Sequence, residues 1–244
     1  MLHAASSVQG KGRRMVSRGL ALRDQVYNHI RDRIVSGELE PGHTLVEVEV
    51  AAELNVSRTP VSNALVMLRE RGLLEDDGGK PRVPVLRLFD VIDLYWCRMG
   101  LDGIAARLAA EKIGAREAKV LEKYLRAWES PQREDDLSAL WVSDLNFHQH
   151  IYKVAGNAHL SRFSEMTVEL ASVYRRNTIR RMTDPSSGTS RSRDDVRAEH
   201  QAIFEAIVHR QPDQAEEAAR QHIRMVIKHL GQADMVIKPE QVGL

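Results

Sequence analysis

What the chain has little of narrows the field before any motif is considered. It holds one cysteine, Cys97, in 244 residues, which excludes an internal disulfide and fits a reducing cytoplasm. It has no apolar run near the roughly 18 residues that span a bilayer, and residues 1–20 contain no apolar core of the signal-peptide kind. No sign of charge dominates. The formal net charge is +1, so overall electrostatics do not announce a nucleic-acid partner. Division after Leu88 leaves 13 basic against 11 acidic residues in the first part and 22 against 23 in the second, so charge placement matters more than charge total. There is no internal repeat. What remains is a soluble composition, 43% hydrophobic and 28% charged with a mean hydropathy of -0.37, enough for one large or two modest domains.

The most informative stretch is Asn55-Val56-Ser57-Arg58-Thr59-Pro60-Val61-Ser62-Asn63-Ala64-Leu65. Ser57 is an N-cap type residue, and Pro60 suits the first helical turn, whose N–H groups lack intrahelical partners. Val61, Ala64, Leu65 and Leu68 recur at i, i+3, i+4 and i+7, one buried stripe. That leaves Ser57, Arg58, Thr59, Ser62 and Asn63 as DNA-facing candidates, since short donors and an arginine at an exposed helix start suit phosphates and base edges in a major groove.

Residues 1–20 read as a disordered basic arm or a miscalled start. Leu22, Val26, Ile30 and Ile34 mark a helix stopped at Ser36-Gly37, and a second short helix covers about Leu45 to Leu54. The DNA-facing helix follows, to about Arg71. Leu73-Leu74-Glu75 and Arg82-Val83-Pro84-Val85 predict two short strands joined through a glycine-rich turn, with Lys80 and Arg82 at the tip placed for phosphate or minor groove. Three helices and a hairpin make a winged helix-turn-helix over 21–88. From Phe89 strand signals vanish. Six helical segments, about 90–113, 115–129, 134–155, 158–182, 194–210 and 212–231, predict an all-helical bundle, with a flexible tail over 232–244. The fold class is therefore mainly α, with a small β-hairpin wing.

Within the bundle, Asp144 and His148 stand four apart on the stripe Leu137, Trp141, Asp144, His148, Ile151. His200 shares a stripe with Val196, Ile203 and Ile207, and His222 shares one with Ala218, Met225 and Val226. Three helices thus aim ionisable groups at an apolar interior, where each costs a few kcal/mol unless partnered. One Asp and three His suit a divalent ion, Zn or Ni first, then Mn or Fe. The bland alternative is three separately satisfied core histidines. His150, His159, His209 and His229 lack the same combination of inward stripe and partners. Arg98 interrupts the apolar face Val91, Leu94, Tyr95, Leu101, Ala105. It predicts either an internal salt bridge to Asp102 or an anchor for an anionic ligand, with Tyr174 and Asn177 as further polar contacts.

Two runs carry a family resemblance. Ile34 to Gly42, then Leu45, Glu47 and Ala51, then Val56 to Val61, resembles the winged-helix domain of GntR-family bacterial regulators. The remainder resembles the FCD effector domain of the FadR subfamily through Arg98, Ala105-Ala106-Arg107-Leu108-Ala109-Ala110, Asp144-Leu145-Asn146-Phe147-His148, Gly156-Asn157-Ala158-His159-Leu160, Glu199-His200-Gln201-Ala202-Ile203 and His222. The chain departs from the family at Ser62, where a DNA-contacting arginine is usual, at Val48, where some members place an arginine on DNA, and at Asp102, where a glutamate is common. The resemblance implies a cytoplasmic homodimer on inverted-repeat double-stranded DNA, repression as the commoner behaviour, and a small organic acid bound at Arg98 beside the metal. A regulator answering to metal alone and a metal-dependent hydrolase are the alternatives. No inward general base stands out for the hydrolase, and no enzyme is expected.

Overall fold

The computed structural model describes residues 21–126, 128, 137–182 and 192–236, with the backbone alone for 137–141, 172, 174–182, 193 and 232–236. The proposed arm at 1–20 and the loop at 183–191 lie outside the described residues.

The first helix, α1 (Leu22–Ser36), buries Val26, Tyr27, Ile30 and Ile34 on one face. Gly37 closes it in the left-handed region at φ 74°, donating its N–H to Ile34 O at 3.0 Å. A side chain there would strain the backbone, which is the ordinary reason for glycine at this position. Helix α2 (Glu47–Glu53) and helix α3 (Arg58–Glu70) form the helix-turn-helix, and Asn55 takes a positive φ of 51° between them. Val61, Ala64, Leu65 and Leu68 are all buried, as the spacing predicts. Ser57 sits at the N-cap of α3 in an extended conformation, but its hydroxyl makes no capping hydrogen bond, a correction to the role expected for it.

The wing is a hairpin of β1 (Glu75–Asp77) and β2 (Lys80–Arg82), paired antiparallel with Glu75 opposite Arg82 and Asp77 opposite Lys80. The expected strands lay two residues further from the tip on each side. Gly78 and Gly79, at φ 57° and 80°, explain the difference: a two-residue turn of this hand sets the pairing at the tip. Leu73, Leu74 and Val83 serve instead as buried anchors in the core under α3. The sequence also concealed a third edge. The chain at 42–45 runs beside β2, with Gly42 N–H to Val83 O at 2.8 Å, Val83 N–H to His43 O at 2.9 Å and Leu45 N–H to Pro81 O at 2.8 Å.

Six further helices follow among the described residues: α4 (Leu88–Lys112), α5 (Ala115–Arg126), α6 (Leu137–Ala155), α7 (Ala158–Met182), α8 (Arg193–Val208) and α9 (Pro212–Val236). The last runs five residues beyond the end expected at 231, so 232–236 continue a helix rather than begin a tail. Helix α4 is the centre of the bundle and packs on α6, α7, α8 and α9. Ala105, Ala106, Ala109 and Ala110 are fully buried along it, and small side chains let neighbouring helices approach closely. Helix α7 is divided between two cores. Ala171 packs with Val91, Tyr95, Ile223 and Val226 of α4 and α9, whereas Val173 and Leu170 pack with the winged-helix core. Around that contact Tyr27 donates to Glu169 at 3.5 Å, and Arg71 pairs with Glu169 at 3.4 Å.

Candidate metal centre and DNA-binding face

Helices α6, α8 and α9 deliver four buried donors to one point. The ligand atoms of Asp144, His148, His200 and His222 all lie within 4.8 Å of one another. His200 Nε2 stands 3.2 Å from Asp144 Oδ1 and 3.4 Å from His148 Nε2, and His148 Nε2 stands 4.0 Å from the same carboxylate oxygen. Four donors about 2.0–2.1 Å from one zinc ion would stand about 3.3–3.4 Å apart in a tetrahedron, so the set needs only a small contraction to hold a divalent ion. The histidine orientations agree. His222 Nδ1 is 2.8 Å from Glu199 Oε2; a carboxylate only accepts, so Nδ1 carries the proton and Nε2 keeps its lone pair for a ligand. His148 turns Nδ1 toward Asp102, 3.6 Å away, and Nε2 toward the cluster. His200 is held between Phe147 and Trp128 rings, with centroids at 4.9 and 5.4 Å, and its Nδ1 has no hydrogen-bond partner. The four residues fit a divalent metal ion in donor type and spacing.

Behind the cluster, Asp102 is a junction. Its Oδ2 accepts from Arg98 Nε at 3.1 Å, and its Oδ1 accepts from the Tyr152 hydroxyl at 2.6 Å. Arg98 is 4% exposed, so the internal salt bridge offered as one of its two roles exists. Burial opposes the Arg98 charge, yet the Asp102 carboxylate outweighs it and holds the guanidinium charged more firmly than usual. The same burial, with the Arg98 charge nearby, pushes the His148 imidazole down to about 4, a neutral and ligand-ready form. Burial and the neighbouring Asp102 carboxylate push the Tyr152 phenol up, so it stays a donor.

Glu199, Tyr152 and Trp128 were missed as site residues. Tyr152 continues the Asp144, His148 spacing by four, and Glu199 precedes His200, so both left a trace in the sequence. Trp128 left none. His229 Nδ1 donates to Met225 O of its own helix, 2.6 Å away, and stands outside the cluster, as do His150, His159 and His209. The Tyr174 and Asn177 side chains lie outside the described residues.

The other candidate face is the start of α3. Arg58 is 70% exposed and lies 3.5 Å from Glu47 of α2; Thr59 and Asn63 are exposed and Ser62 is half-buried beside them. On the wing Lys80 is exposed. Arg82 is instead gripped by Glu75 at 2.7 Å and Asp77 at 2.9 Å, so two carboxylates already answer the charge expected to meet phosphate.

A winged helix-turn-helix with an exposed recognition helix, joined to an all-helical domain, defines a DNA-binding transcription regulator. The chain belongs to the GntR/FCD regulators: residues 22–82 match bacterial regulatory proteins of the gntR family, and residues 93–225 match the FCD domain. It is 28% identical to an uncharacterized HTH-type transcriptional regulator, YdhC of Bacillus subtilis, over 84% of this chain and 87% of that one. It is also 28% identical to a probable D-xylose utilization operon transcriptional repressor of Paenarthrobacter nicotinovorans, over 82% and 87%. Its fold matches McbR/YncC of Escherichia coli with a TM-score of 0.68 at 19% identity, covering 88% of this chain and 99% of that one. Among the described residues no helix is long and apolar enough to cross a membrane.

Proposed function

We propose that the protein is a homodimeric cytoplasmic repressor whose helical domain, 89–231, holds one divalent ion on Asp144, His148, His200 and His222 together with a small carboxylate, and that this occupancy controls the grip of the winged domains, 21–88, on an inverted-repeat operator. The observation that carries the reading is the convergence of four buried ligand atoms within 4.8 Å of one another in a chain of regulator family. Zinc or nickel suits one carboxylate and three imidazoles, with manganese or iron next. When bound, the ion supplies coordination positions that an organic acid can share. The chain's own part is to anchor and report. Arg98 feels the Asp144 charge and lowers His148. Its Nε is committed to Asp102, which leaves the two Nη groups to meet an acid. Helix α4 carries both Arg98 and Asp102 and begins where the wing ends, so a shift of α4 moves the DNA-binding domain. Ser57, Arg58, Thr59, Ser62 and Asn63 would meet the major groove, and Lys80 a phosphate. A named repressor among the relatives supports repression as the sense of control.

The test is operator binding by metal-loaded protein with a panel of organic acids. Arg98→Lys keeps a cation for Asp102 but cannot fork onto a carboxylate; it should retain metal and basal DNA binding and lose the acid response. An undiminished response would assign Arg98 to Asp102 alone. One observation favours a second reading, in which the metal itself is the signal: Asp102 already neutralises Arg98. DNA binding that follows chelation and readdition of metal, with no acid having any effect, would select it.

A further inference from the structure

Helix α7 meets the two halves of the molecule on different sides. Ser164, Thr167 and Ala171 are buried on the side that faces the bundle, brought together by the helical repeat of about 100° per residue. Glu165 and Glu169 fall on another side and face the winged domain. Glu165 stands 3.9 Å from Arg71, and Glu169 stands 3.4 Å from Arg71 and 3.9 Å from Arg31. The Tyr27 hydroxyl donates to the same Glu169 carboxylate. Arg71 is a telling partner, because it is the C-cap of α3, the helix whose start carries Arg58 and Thr59. Gly72 follows it at φ 73°, and an added Cβ there would lie 3.4 Å from Leu170 Cδ2 of α7. The far end of the recognition helix is therefore seated on α7.

The bundle side of α7 leads to the ligand cluster. Ser164 lies within hydrogen-bonding reach of the Tyr152 hydroxyl, and its proton can point there or to Ser161 O, 2.8 Å away. Tyr152 donates to Asp102, and Asp102 stands 3.6 Å from His148 Nδ1. His148, Asp102, Tyr152 and Ser164 thus form a contiguous line of buried polar groups from the metal donors to α7. Buried polar groups constrain one another in direction as well as distance, so a ring fixed by metal on one side fixes Asp102 and Tyr152 on the other. Two separated sites are coupled when both bias one shared element. A helix carries a shift along its axis, and Glu169 lies only about 7.5 Å beyond Ser164. We infer that α7 is the strut through which occupancy of the metal centre reaches the recognition helix, and that Glu169 is the positioning residue on which that helix rests. The inference depends on the metal-controlled reading above and names its route. It is distinct from the passage through α4, which meets the winged domain at the wing and not at α3.

The test is backbone hydrogen exchange in the full-length protein, chelated and then loaded with zinc, read by mass spectrometry on peptides from α3, α6, α8 and α9. In the wild type, zinc should slow exchange in the three ligand-bearing helices and change it by about 5-fold or more in the last turn of α3. Glu169→Gln removes the charge that meets Arg71 and Arg31, and Ser164→Ala removes the contact on the bundle side. Each should keep the zinc effect on α6, α8 and α9 and reduce the effect on α3 to less than about 2-fold. Glu169→Lys, which repels both arginines, should do the same. A Glu169 that only stabilises the fold would instead speed α3 exchange equally with and without zinc, and its variants would keep the full zinc effect there; that result overturns the strut. Wild-type α3 that ignores zinc while α6, α8 and α9 respond overturns it too, and leaves the metal reading intact. An absence of any zinc effect on all four helices overturns the metal reading itself, and the strut with it.

Discussion

The Arg98–Asp102 pair offers the sharpest perturbation. Both groups are almost fully buried and 3.1 Å apart, and Asp102 keeps one neutral donor, Tyr152, when the arginine is removed. Arg98→Met replaces the side chain with an apolar one of similar length and strands the carboxylate. Breaking a buried pair in this way costs on the order of 3–5 kcal/mol, a large share of the roughly 5–15 kcal/mol that holds an ordinary domain together. The deficit should depend on pH in metal-free protein. In the native chain burial, with Arg98 beside it, holds His148 at about 4, below its unfolded value of about 6.5. The folded state therefore refuses a proton that the unfolded state takes, and stability is lost as pH falls from about 6.5 to about 4, by on the order of 3 kcal/mol. In the variant the Arg98 charge is gone and the Asp102 carboxylate, 3.6 Å from His148 Nδ1, is unneutralised. Both changes raise the His148 value, so the variant loses less on acidification. Denaturant unfolding of chelated wild type and Arg98→Met at pH 8 and pH 5 should show a gap that narrows at the lower pH. A gap under about 1 kcal/mol at pH 8, or one that widens on acidification, would refute this account of the junction.

Other outcomes follow from the same geometry. Replacing His200 and His222 together by alanine should remove stoichiometric metal from purified protein, as elemental analysis would register; a full equivalent remaining would move the site elsewhere. Metal affinity of the wild type should fall as pH approaches about 4, where the His148 imidazole takes up a proton in competition with the metal, which titration of competing chelators at several pH values can follow. Arg58→Ala should weaken a specific operator by on the order of 1–3 kcal/mol in a footprint titration, whereas Lys80→Ala should weaken all sequences alike and reduce the salt slope by about 1. Arg82→Ala should change the salt slope less than Lys80→Ala, because Glu75 and Asp77 already hold that guanidinium. Leu68→Ala, fully buried under the wing, should destabilise the winged domain by about 2–5 kcal/mol, measurable by thermal unfolding.

Periodicity made the helices legible. Val61, Ala64, Leu65 and Leu68 placed α3, and the inward stripes through Asp144, His148, His200 and His222 located the donor cluster, because a buried stripe constrains direction as well as spacing. The wing was readable as a hairpin but not in register: apolar Leu73, Leu74 and Val83 looked like strand residues, while the glycines at 78 and 79 fixed pairing nearer the tip. The edge at 42–45 was invisible since its partner lies about 40 residues away and its polar sequence carries no alternation. Asp102 was recognised only as a possible mate for Arg98. Its tie to Tyr152, and the hold of Glu199 on His222, depend on how helices far apart in sequence are juxtaposed, and no spacing rule encodes that. Ser57 fitted the composition of a cap without making its hydrogen bond, a reminder that residue preference describes a position and not a contact.

The division of α7 between two cores has a bearing on how such proteins can be taken apart and recombined. Cutting the chain near Leu88 and exchanging the DNA-reading half for another treats the boundary as a point in the sequence. Here the boundary runs lengthwise along a helix, with Leu170 and Val173 belonging to one half and Ala171, between them, to the other. A graft that respects only the linker would leave that face of α7 against a stranger and the carboxylate of Glu169 without Tyr27 and Arg71. The transferable unit is therefore discontinuous: the first three helices, the wing, and one side of a helix some eighty residues downstream.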